Sequence, residues 1–154
     1  MTWLVRAEKI ACMATLPRRD DLTSLVLRTD FSDDTAWTAL KAAIDSFDEH
    51  RRATFVSNPA FAGIAVQALI DAGADDDKPT YLFVADAITM TDDEHPLLAV
   101  DLYDEPGRAF RVPPRWYAYV SDNLTVANMN FAEYADETDE SGTYRGFDES
   151  PGKA

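Results

Sequence analysis

Three apolar stretches of this chain end in aspartate. Leu25-Val26-Leu27 runs on to Asp30, Tyr81-Leu82-Phe83-Val84-Ala85 to Asp86, and Leu97-Leu98-Ala99-Val100 to Asp101. As parallel neighbours in an α/β sheet, three such strands would bring their carboxylates together outside the strand ends, where ligands of open sheets bind. Carboxylates gathered there hold Mg²⁺, and Mg²⁺ positions phosphate oxygens for transfer or hydrolysis. Arg28 as phosphate clamp and His95 as proton carrier would complete such a site. The opposing reading is structural. Aspartate is common just beyond strands, where it makes turns and caps helices. Asp101 runs on into Leu102-Tyr103, so its strand continues and, if antiparallel, places that carboxylate elsewhere. On this preferred reading Asp30 holds a strand-to-helix turn with Ser32. Arg28 then pairs with a carboxylate at the sheet's end, Asp86 in the first place.

Other chemistries lack their residues. Ser32 stands two positions after Asp30, so there is no Asp-x-Asp nucleophile. His50 and His95 are the only histidines and Cys12 the only cysteine, too few for a zinc site or a disulfide. No Gly-x-Ser-x-Gly elbow, phosphate-binding loop or dinucleotide fingerprint is present. Asp92-Asp93-Glu94-His95 and Asp75-Asp76-Asp77 lack calcium-loop spacing and read as solvated loops. No metal ligand set is assigned and no cofactor is expected; Mg²⁺ belongs to the enzymatic alternative alone.

A second candidate surface is basic and aromatic. Arg108, Arg111 and Arg115 interleave with Phe110, Trp116, Tyr117 and Tyr119, and arginine and aromatic residues are enriched at interface hot spots. Trp116 is assigned to packing. Arg108, Arg111, Arg115, Tyr117 and Tyr119 form the candidate binding set, with Arg115, Tyr117 and Tyr119 expected at the surface.

Charge narrows the partners. A formal net charge of −14 opposes binding to nucleic acid or to an anionic membrane and suits a basic protein partner. No apolar run approaches the length of a bilayer span, and the start has no secretory pattern. With a single cysteine, the expected compartment is the cytoplasm.

The elements that must position these residues follow from periodicity. Leu25–Leu27 is a buried strand, and Ser32 is the expected cap of a helix whose stripe is Trp37, Leu40, Ile44 and Phe47. Thr54–Val56 is a strand. Asn58-Pro59 starts a helix expected to run to Ala72. Tyr81–Ala85 is the central strand, followed by a polar loop from Ile88 to Pro96. Leu97–Tyr103 and Arg108–Val112 pair as a hairpin through Asp104-Glu105-Pro106-Gly107. Pro113-Pro114 opens a helix carrying Trp116, Val120, Leu124 and Ala127. Asn130 with Glu133 is a capping box that starts a shorter one, with Phe131 and Tyr134 facing inward. Gly142–Phe147 adds an edge strand. The expected fold is α/β, a mixed, mainly parallel sheet with an antiparallel hairpin, flanked by helices. Its organisation is an N-terminal arm (1–24), a single α/β domain (25–147) and a disordered tail (148–154).

Four blocks taken together, LVLRTDFSDD from Leu25 to Asp34, Val84-Ala85-Asp86, HPLLAVDL from His95 to Leu102 and NLTVANMNF from Asn123 to Phe131, resemble a bacterial family of domains of unknown function, found chiefly in filamentous soil bacteria. The resemblance spans roughly Leu22 to Phe147. It implies a single cytoplasmic domain and carries over no catalytic or binding residue. The expected function is a non-catalytic protein-interaction or regulatory module, with a Mg²⁺-dependent phosphoryl-transfer or hydrolytic enzyme as the alternative.

Overall fold

The computed structural model describes residues 16, 24–47, 53–72 and 79–146. Its strands are β1 (Ser24–Arg28), β2 (Ala53–Val56), β3 (Tyr81–Ala85), β4 (Leu97–Asp101) and β5 (Ala109–Val112). They form one sheet in the order β2-β1-β3-β4-β5. β1 pairs in parallel with both β2 and β3, whereas β3–β4 and β4–β5 are antiparallel. The sheet is therefore mixed rather than mainly parallel. The chain returns from β3 to β4 through a short connection, which reverses direction instead of crossing over.

Side chains alternate between the two faces, as the pleat requires. Val26, Phe83, Ala99 and Phe110 face one cluster, covered by α1 (Asp34–Phe47), α4 (Pro114–Thr125) and α5 (Phe131–Ala135). Leu25, Leu27, Leu82 and Val100 face the other, covered by Phe61 and Leu69 from the 59–72 segment. Leu16, inside the span expected to be an arm, is buried there too, at 2% exposure. The rest of that arm up to residue 23, the 48–52 and 73–78 segments and the expected tail lie outside the described residues.

Several local expectations are met. β3 is fully buried and central, and Asn130 and Glu133 form a reciprocal capping box with Phe131 and Tyr134 inside. Others need correction. Asp33, not Ser32, caps α1: the Ala36 N–H donates to its Oδ1 at 3.1 Å. Phe47, expected to close the buried stripe, is half exposed at the end of α1; the stripe stops at the fully buried Ile44. The expected helix from Pro59 to Ala72 is broken into a 3-10 turn (Pro59–Phe61) and α2 (Val66–Ala72). Between them Gly63 adopts φ +69°, and its N–H donates to the Thr29 carbonyl at 2.8 Å instead of continuing a helix. The 88–96 stretch is not all loop: α3 (Ala87–Thr91) opens it, capped by Asp86 with Thr89 reciprocating. On α4 the buried stripe is Tyr117, Val120 and Ser121, while Trp116 and Leu124 are half-buried. The expected edge strand is reduced to single bridges, Arg111 with Thr143 and Thr138 with Tyr144.

Candidate functional site

Strand direction sorts the three aspartates. β1 and β3 finish at the same end of the sheet, here called the upper end, where the Thr29 N–H donates to the Ala85 carbonyl at 3.0 Å. Asp30 and Asp86 leave the sheet there. β4 runs the opposite way, and Asp101 sits opposite Tyr81, the first residue of β3. Five residues of strand separate that position from Asp86, about 16 Å at the usual rise. The three carboxylates do not converge, and the site of the enzymatic alternative loses one of its members. His95 precedes β4 and so returns to the upper end.

Asp86 is already engaged. Arg111 grips both its oxygens, at 2.8 and 2.9 Å, and the Thr89 N–H and hydroxyl donate to Oδ1 at 3.1 and 3.0 Å. Burial alone would raise its pKa; the Arg111 fork and the Thr89 donors outweigh it and hold the carboxyl below its ordinary value. The expected Arg28–Asp86 pair is therefore replaced by Arg111–Asp86, which ties β5 to the start of α3. Arg28 is 3% exposed. It donates to the Asp30 carbonyl at 2.9 Å and to the Asp34 carboxylate at 2.8 Å, and it lies 4.4 Å from the Phe31 ring centre and 5.5 Å from that of Trp37. Asp34 is 91% exposed, so the ion pair is weak and the rings and backbone acceptor carry most of the guanidinium's accommodation.

Asp101 is structural. At 2% exposure it accepts the N–H groups of Tyr103, Asp104 and Glu105 at 2.9, 3.2 and 2.9 Å, folding the loop to β5. His95 takes a left-handed conformation, φ +49°, and its Nδ1 lies 2.9 Å from the Thr89 carbonyl near the end of α3. A carbonyl only accepts, so Nδ1 carries the hydrogen. Next to it, Glu94 forks onto Arg145, which holds that carboxyl below its ordinary value; Arg145 also donates to Asp139, whose carboxyl is lowered first by the Ser141 hydroxyl and the Thr143 N–H and then by Arg145.

What remains at the upper end is a crevice of about 510 Å³ lined by residues 29–32, 62–64 and 86–87. It lies between the ends of β1 and β3, where the strand order reverses: β2 was laid on one side of β1 and β3 on the other. This is the switch point at which open α/β sheets bind ligands. Its walls are largely apolar, from Phe31, Ala62, Ile64 and Ala87. Asp30 stands at it with Oδ1 accepting the Ser32 N–H at 3.0 Å, as a turn-holding aspartate should. Its Oδ2 has no hydrogen-bond partner among the described residues.

The charge at this end is uneven. Arg28, Arg111 and Arg145 are each committed to carboxylates. Asp30, Asp33, Asp92 and Asp93 form no ion pair among the described residues, against one arginine, Arg115, without one. No three His, Cys, Asp or Glu side chains among the described residues gather closely enough to hold a metal ion.

The family model for a domain of unknown function, DUF6924, matches residues 23–147. The chain belongs to this family. No curated protein matches its sequence. The match covers β1 through the bridges at 143–144, and so includes both walls of the DUF6924 crevice.

The basic-aromatic set is dispersed across the domain. Arg108 lies at the lower end, paired with Glu105 and Asp136. Arg111 points to Asp86 at the upper end. Tyr117, expected at the surface, is fully buried with its ring centre 4.9 Å from that of Phe83, because it rather than Trp116 faces the sheet. Arg115 and Tyr119 remain exposed, Arg115 lying 5.4 Å from the Trp116 ring centre. The Ala62–Ile64 wall was not legible as a site residue by residue. Its signal was Gly63, a glycine inside a helical pattern.

Proposed function

We propose that this DUF6924 domain is a non-catalytic protein-interaction or regulatory module of the bacterial cytoplasm, and that it engages a basic protein partner through its upper end. The observation that carries the reading is the crevice itself: a largely apolar cleft at the sheet's switch point, beside carboxylates that have no ion-pair partner among the described residues. The groups that would do chemistry there are otherwise occupied. Asp86 is held by Arg111, His95 by the α3 backbone, and Asp101 lies at the other end. The reading needs no cofactor. The net charge of −14 opposes nucleic acid and anionic membrane, and no helix among the described residues is long and apolar enough to cross a bilayer. The lone Cys12 suits a reducing compartment.

An acidic docking end steers a basic partner electrostatically, so association slows as salt screens the field. A photo-crosslinking residue placed at position 62 should trap a partner in living cells, and the yield in lysate should fall at high salt. The same residue at position 47, on the opposite end of α1, should trap much less. Crosslinking from position 47 alone would remove the crevice from the binding surface.

A further inference from the structure

The crevice has two chemically distinct parts, and together they describe the group that fits. Its walls are the apolar faces of Phe31, Ala62, Ile64 and Ala87, and its polar edge is Asp30, whose Oδ2 has no hydrogen-bond partner among the described residues. Asp86 lines it as well, but the Arg111 fork neutralises that charge. Asp33, one turn further along the same loop, is exposed and without an ion pair among the described residues. Among the described residues an anion has no cation here to bind, since the nearby Arg28 guanidinium is taken by Asp34, the Asp30 carbonyl and the Phe31 ring. A bare metal ion finds no ligand set among the described residues. Lysine and arginine side chains carry an apolar stem and a charged head, so the stem matches the walls and the head matches Asp30. At about 510 Å³ the cleft exceeds one such side chain and has room for an apolar neighbour.

Resting on the reading of the upper end as the docking end, we infer that the crevice takes a lysine or arginine of the partner flanked by apolar residues, with Asp30 as the carboxylate that receives the cation. The wall is set before binding. Gly63, at φ +69°, is tied through its N–H to the Thr29 carbonyl, so the 62–64 segment is held against the β1 loop that carries Asp30. A preformed wall lowers the ordering cost of binding.

The test uses the full chain and a capped heptapeptide with two arginines and two leucines, titrated by backbone NMR at low salt. A lysine version and a glutamate version serve as comparisons. The expected result is shifts concentrated at residues 29–32, 62–64 and 86–87 with the arginine and lysine peptides and none with the glutamate peptide. Asp30→Asn keeps an oxygen for the Ser32 N–H and so preserves the turn; it should weaken binding about fivefold. Ala62→Trp, at an exposed position, should fill the cleft and abolish the shifts without lowering the melting temperature. Shifts spread evenly over the acidic surface, or an Asp30→Asn variant that binds as tightly as the parent, would overturn the inference. If the basic peptides do not bind but Ala62→Trp still loses the partner crosslinked in cells from position 32, which also lines the crevice, the basic anchor is wrong and the docking end stands. If Ala62→Trp also keeps the partner, both fall.

Discussion

The two ends of the sheet use the same residue in opposite ways. At the lower end Asp101 is buried and closes on its own loop, accepting three backbone N–H groups within four residues of itself. At the upper end Asp86 reaches across the fold to Arg111, and Asp30 keeps one oxygen without a partner among the described residues, beside an open cleft. The lower aspartate is a local turn device. The upper pair belongs to long-range architecture and surface charge. An aspartate after an apolar strand is thus no guide to a site until the strand's direction is known, because direction decides whether it meets its own loop or the switch-point crevice.

The largest effect should fall on the lower end. Asp101→Ala leaves three N–H groups without their acceptor at a buried position and should cost about 3 kcal/mol. Asp101→Asn, which still accepts through one oxygen, should cost about half as much. Urea unfolding measures both, and a loss under about 1 kcal/mol for the alanine variant would erase the distinction between the ends.

Asp86→Ala should come next, at about 2 kcal/mol, since it strands the half-buried Arg111 guanidinium. Replacing Arg111 by Met in the same chain should recover part of that loss. The pair also has a pH signature. Asp86 ionises at a lower pH folded than unfolded, so its contribution is complete above the unfolded value of 3.8 and disappears as pH falls through the folded one. Stability of the parent should therefore drop more steeply below about pH 4 than that of Asp86→Asn. Parallel acid melts with equal slopes would show that the Arg111 fork adds nothing.

Asp30→Asn should be the smallest, below about 0.5 kcal/mol, because the turn keeps its acceptor and the lost charge was exposed to the cleft. A loss comparable to that of Asp101→Ala would make Asp30 structural and remove it from the docking surface.

Where neighbours in sequence decide a structure, much of the sequence was readable, although the Asp33 cap of α1 and the Asp86–Thr89 capping box of α3 are local and were missed. The apolar runs of β1 and β3, the Asn130–Glu133 capping box and the Asp30–Ser32 turn depend on contacts within a few residues, and each is found where periodicity and turn chemistry place it. The break at Gly63 was not readable in the same way. Its helical pattern is sound locally and yields only because the Thr29 carbonyl, thirty-odd positions earlier in the chain, takes the N–H that a helix would have used. Tyr117 displaced Trp116 from the core for a similar reason: both lie on one amphipathic helix, and the facing Phe83 selects which of them is buried.

By itself, then, the sequence determined an acidic α/β chain with its strands, the Asn58 and Asn130 caps and its excess of carboxylates, since these are set by composition and by short-range hydrogen bonding. Only the tertiary structure decided that β4 runs antiparallel to β3, that Arg111 rather than Arg28 holds Asp86, and that a cleft opens between Asp30 and Ile64. Those outcomes rest on pairings between residues 14 or more positions apart, whose register and direction come from packing two sheet faces at once.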